Sequence, residues 1–73
     1  MTLPDPKRLT TSALLFELID NRDVVRLNAM LRTEEHMYRS QEVKVPLARD
    51  QFLARYWAVA REFDARVRLP SDE

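Results

Sequence analysis

Not one of the 73 residues is glycine. Tight hairpin turns and many-stranded folds draw on residues that tolerate positive φ, and glycine is their usual supplier. Its absence favours helices. Size sets a second limit, because a chain this short buries only about 60 % of the surface that its unfolded form exposes. The core is therefore small, and a self-association partner or a ligand can be part of the fold. Cysteine is absent too, which removes both a disulfide framework and a thiolate metal site. With 45 % apolar and 33 % charged residues, the chain has the composition of a folded domain rather than a disordered tail. The expected layout is a flexible arm over 1–8, one helical domain over 9–69 and a short tail over 70–73.

Apolar runs stay below the ~18 residues that cross a bilayer, and "MTLPDPKRLTT" lacks the apolar core of a signal peptide. A cytoplasmic protein with no membrane partner is expected. The 12 basic and 12 acidic residues cancel, which weighs against avid non-specific binding to nucleic acid. Residues 21–49 nevertheless carry six basic residues against four acidic ones, a modest local bias.

Thr10, Thr11 and Ser12 are competent N-caps for "ALLFELI", which predicts a first helix over about Ser12 to Ile19. If that helix ran on, the apolar stripe would jump faces between Ile19 and Val24, at 100° per residue. Asp20 and Asn21 stand at the jump and can cap a second helix bearing Val24, Val25, Leu27, Met30 and Leu31, so a break at 20–23 is expected. Val43 and Val45 alternate with Glu42 and Lys44 as in a half-buried strand, and Pro46 closes that run and opens the next helix. From Pro46 to about Val67, the residues Phe52, Tyr56, Val59, Ala60, Phe63 and Val67 recur at helical spacing. Glu62 with Arg66, and Asp64 with Arg68, are acid-before-base pairs for its exposed side. Leu69-Pro70 ends it.

"LTTSALLFELIDNRDVVR" followed by "VKVPLARDQFL" resembles the small winged helix-turn-helix domains of excisionase and MerR-type regulators. Leu9-Thr10, Arg22 with Val25, and Val43-x-Val45-Pro46 fall in the order of that pattern, over roughly residues 9–53. The chain departs from it at Ile19-Asp20, where the family turn carries glycine and then an apolar residue. It departs again at Ser40-Gln41, where the wing usually turns on glycine, and at Asn28, which replaces an apolar residue. The resemblance implies a mainly α fold with a helix-turn-helix pair, a short two-stranded wing and a long C-terminal amphipathic helix, a three-helix domain. It also implies that Asn21, Arg22, Val24 and Arg26 are exposed at the start of a recognition helix in the major groove of duplex DNA. Arg39, Gln41 and Lys44 on the wing would touch phosphates. Against this stands the plainer reading of Arg22 and Arg26 as solubilising charges paired with neighbouring carboxylates.

Zero net charge in so small a chain would make DNA binding weak, so a homodimer or a protein partner is expected through the C-terminal helix, at Leu53, Tyr56 and Trp57. An exposed tryptophan commonly anchors an interface, although Trp57 could equally lie flat over the edge of the core. Catalytic chemistry is not expected. The lone His36 follows Glu34 and Glu35, but adjacent helix positions diverge, so the segment reads as a solvated helix end rather than a metal site. No serine has a base in a nucleophile motif, and no glycine loop cradles phosphate; no cofactor is expected. Two functions remain open: a small regulator that binds DNA through a winged helix-turn-helix, or a helical interaction module that inhibits or adapts a larger protein.

Overall fold

The computed structural model describes residues 3–27, 35–41 and 43–68. A single 3-10 turn, Pro6–Arg8, leads into helix α1, Thr11–Arg26; a hairpin of strands β1, Glu35–Ser40, and β2, Val43–Ala48, follows, and helix α2, Arg49–Arg68, completes the order. The described chain is mostly helical, as composition suggested, but it holds two α-helices rather than three.

The ends of these elements have local causes. Asp5 caps the 3-10 turn, its carboxylate accepting the Lys7 N–H at 2.9 Å, with Pro6 pre-set for the first position. Of the three candidate caps for α1, Thr10 serves, its hydroxyl accepting the Ala13 N–H at 3.1 Å. Gln51 reaches back to accept the Ala48 N–H at 3.3 Å, which is one half of a capping box at the start of α2.

Strands β1 and β2 pair antiparallel from Glu35↔Ala48 to Ser40↔Val43. Side chains alternate across the sheet, so His36, Tyr38 and Ser40 face inward with Val43, Val45 and Leu47, while Arg39, Lys44, Met37 and Pro46 face solvent. The two-stranded antiparallel pairing expected around Ser40-Gln41 is thus present, and Gln41 takes the left-handed conformation (φ 53°) that glycine would normally supply. Pro46 neither closes the strand nor opens the helix; it pairs with Met37 inside β2. Both strands of a two-stranded sheet are edges, where a missing N–H is tolerated.

Two small clusters make the core. Leu9, Leu14 and Val59 are buried together with Ala13, Leu18 and Phe63 packed against them. Tyr38 and Phe52 form the second with Val24, Val25, Leu47, Leu53 and Tyr56, the Tyr38 and Phe52 rings meeting edge to face at 4.9 Å. The beginning of α1 therefore lies beside the end of α2 and its end beside the beginning of α2, so the helices run antiparallel as a layer on the inner face of the hairpin. His36 is not at a solvated helix end: it is a β1 residue whose ring lies 5.8 Å from that of Phe52.

The largest correction concerns residues 20–23. Helix α1 passes through them without a break, so the angled second helix of a helix-turn-helix is not formed there. The apolar stripe jumps faces in the sequence because two positions of the buried stripe are polar. Leu14, Glu17, Asn21 and Val24 share a face at three- and four-residue spacing, and Glu17 and Asn21 are as buried as Leu14. The proposed helix positions Asn28, Met30 and Leu31, the carboxylate of Glu34 and the Leu69-Pro70 stop lie outside the described residues.

Three further expectations change. Residues 5–9 are held rather than frayed: the Arg66 guanidinium donates to the carbonyls of Leu9 (2.7 Å), Lys7 (3.2 Å) and Pro6 (3.4 Å), and Arg55 donates to Pro4. The Glu62–Arg66 pair forms at 2.9 Å but is half-buried by this role, whereas Asp64–Arg68 at 3.0 Å is exposed as expected. Val67, read as part of the core stripe, is 58 % exposed.

Candidate protein-interaction face

The inner side of the helix layer is organised by a buried carboxylate. Glu17 is fully buried and accepts hydrogen bonds from the hydroxyls of Tyr38 and Ser40 (2.7 Å to the latter) and from the Arg55 guanidinium (2.7 and 3.3 Å). One cation and two hydroxyls thus satisfy one anion, which is what keeps a buried charge tolerable. Burial, reinforced by the Glu17 carboxylate, holds the Tyr38 hydroxyl well above the ordinary tyrosine range. Burial works against the charge on Arg55, but hydrogen bonding and attraction to Glu17 outweigh it and hold the guanidinium above its usual value. Tyr38 stays a donor, Arg55 stays a cation, and both lock α1 and α2 to the hairpin.

Asn21 does related work one turn further on. Its amide nitrogen donates to the carbonyls of Glu17 (2.7 Å) and Arg39 (2.8 Å), and its oxygen accepts the Arg39 N–H at 3.0 Å. Asn21, expected at the exposed start of a recognition helix, is instead 1 % exposed and fully engaged with backbone. Val24 is half-buried in the core. Arg22 and Arg26 are exposed, each within 4 Å of Asp23, as in the plainer reading of those arginines. Arg39 and Lys44 face each other across the solvent side of the hairpin, with Gln41 exposed at its tip.

The outer side of the same layer carries exposed apolar side chains among charged ones. Each residue advances about 100° around a helix, so residues two before and two after a given position point about 160° away from it. Glu17 and Arg55 point at the hairpin. Their counterparts two positions away are Leu15 and Ile19 on α1, and Leu53 and Trp57 on α2. Leu15 is 41 % exposed, Ile19 48 % and Trp57 50 %. Trp57 meets Tyr56 edge to face at 5.0 Å, and with Leu18, Ala60, Phe63, Arg61 and Asp64 it lines an open cleft of about 550 Å³.

Of the expected partner residues, Trp57 is exposed, whereas Leu53 and Tyr56 are half-buried and packed against the Tyr38–Phe52 cluster. Leu15 and Ile19 were not among them, although "ALLFELI" carries apolar residues on all sides. A helix of that kind needs cover all round, and this was the available signal. The described residues contain no group of three or more His, Asp or Glu placed to hold a metal ion, and no helix among them is long and apolar enough to cross a membrane. No family model, curated protein or solved structure matches the chain.

Proposed function

We propose that this chain is a small non-catalytic interaction module that docks another protein surface through the outer face of its helix layer. The observation that carries this reading is the exposure of Leu15, Ile19 and Trp57, which helical periodicity sets opposite Glu17 and Arg55, together with the open cleft that Trp57 lines with Leu18 and Phe63. Contiguous exposed apolar surface on a small domain marks a site of association, and a half-exposed tryptophan is a typical anchor within one. Side chains on two packed helices hold such a surface rigid.

The test uses the dye 1-anilinonaphthalene-8-sulfonate at submicromolar protein concentration. The native chain should enhance and blue-shift the dye's emission, and the double variant Ile19→Asp/Trp57→Glu should lose that signal while keeping its helical circular dichroism and a cooperative unfolding curve. Equal dye response from the two proteins, both folded, would refute the reading.

One observation favours a second reading, contact with duplex DNA. Arg39 and Lys44 are direct cross-strand neighbours on the solvent face, an arrangement of like charges that costs stability unless an anion lies over it. Such a contact would hold phosphates through the hairpin without a recognition helix. Titration of a duplex at low salt should show binding that falls with added salt and weakens on Arg39→Ala/Lys44→Ala; absence of binding at low salt would remove this reading.

A further inference from the structure

We infer that the occupant of the outer helix face is a second copy of this chain, packed about a two-fold axis so that two helix layers meet and the two hairpins lie outermost. The inference rests on the docking reading above and names its partner. Helix layers are stable when both faces are covered, and here the hairpin covers one face while, among the described residues, nothing covers the other. A second copy supplies a surface of matching chemistry, giving the order sheet, helices, helices, sheet.

Charge points to the same occupant. The cleft beside Trp57 is rimmed by Arg61 and Asp64, one of each sign; Asp64 is bridged at 3.0 Å by Arg68 of its own helix, but that pair is exposed to solvent, where such a bridge is worth little, and it leaves the carboxylate open to a second cation. A two-fold interface sets each residue of a pair against the other, so each Arg61 can meet the partner's Asp64 and both rims are satisfied at once. A partner of one predominant charge would leave one of the two opposed. Zero net charge means that two copies approach without overall repulsion. A standard interface takes ~800 Å² from each partner, about one-seventh of the 5402 Å² of this chain, so one face of the molecule is enough.

Sedimentation equilibrium of the full chain, from submicromolar to millimolar concentration, tests this. The expected result is a reversible monomer–dimer equilibrium. Ile19→Asp should weaken it at least about tenfold with unchanged helical circular dichroism. Arg61→Glu and Asp64→Lys should each weaken self-association when alone, and an equimolar mixture of the two should restore it, because each like-charged contact becomes an opposite-charged one. A chain that stays monomeric up to millimolar concentration, yet binds the dye in the manner described, overturns the second copy and leaves the docking reading standing. A monomer that does not bind the dye has this face covered by its own residues, and both fall. A dimer indifferent to Ile19→Asp and to the charge exchange joins elsewhere, which also overturns the inference.

Discussion

Replacing Arg55 by methionine should unfold much of the population. The substitution keeps a long flexible stem but removes the Arg55 cation beside Glu17, leaving a fully buried carboxylate with, among the described residues, only two hydroxyl donors. Breaking a buried ion pair by deleting one member costs about 3–5 kcal/mol, most of it from the charge left behind. A 73-residue domain holds roughly 4–11 kcal/mol in total, so the loss is comparable to the whole. Urea unfolding followed by circular dichroism should show the midpoint falling towards zero denaturant. Adding Glu17→Gln to Arg55→Met should recover part of the loss, since the orphaned charge goes with it. A double variant less stable than Arg55→Met alone would show that Glu17 is not held as an anion by its arginine.

The second large effect is expected at Asn21. Asn21→Asp keeps size and shape, but it places an acceptor against the carbonyls of Glu17 and Arg39, where the native amide donates to both. Losing the donors and facing oxygen against oxygen in a buried site should cost about 3 kcal/mol, the upper range for an unsatisfied buried group. Asn21→Ala should cost less, because it deletes the bonds without creating repulsion. Hydrogen exchange distinguishes this from general loosening: the Arg39 amide, bonded to the Asn21 oxygen, should lose protection in Asn21→Ala well before the Val59 amide in the middle of α2. Simultaneous loss at both positions would contradict a local role for Asn21 in fastening the hairpin.

These two residues also explain what could be read from the sequence. The second long helix was legible because Phe52, Tyr56, Val59 and Phe63 keep their apolar period, and the hairpin was legible from the alternation at Val43 and Val45. Helix α1 was misjudged because hydrophobic period is informative only when apolar residues are the buried ones. In α1, Glu17 and Asn21 occupy core positions while Leu15, Phe16 and Ile19 are exposed, so the pattern imitates a change of face at residues 20–23. The partners that make burial of Glu17 and Asn21 affordable, Tyr38, Arg39, Ser40 and Arg55, lie 18 to 38 residues away, and no local spacing rule reaches them. Of the interaction face, Trp57 was readable as a lone large aromatic beside a periodic stripe. The contribution of Leu15 and Ile19 required knowing which way Glu17 points.

The arginine clasp on the leading segment has a bearing on how the molecule comes into being. Arg55 and Arg66 bind carbonyls at positions 4 to 9, across separations of 51 to 60 residues. Contacts so distant along a polypeptide form late, since the intervening loop must close first. A ribosome releasing this chain therefore exposes α1, with its buried-type anion and its outward leucine and isoleucine, before any arginine able to quiet that anion has been made. Helix α2 acts as the closing step of assembly, and until it emerges the roughly two-thirds of these residues that precede it are a nascent intermediate rather than a finished subdomain.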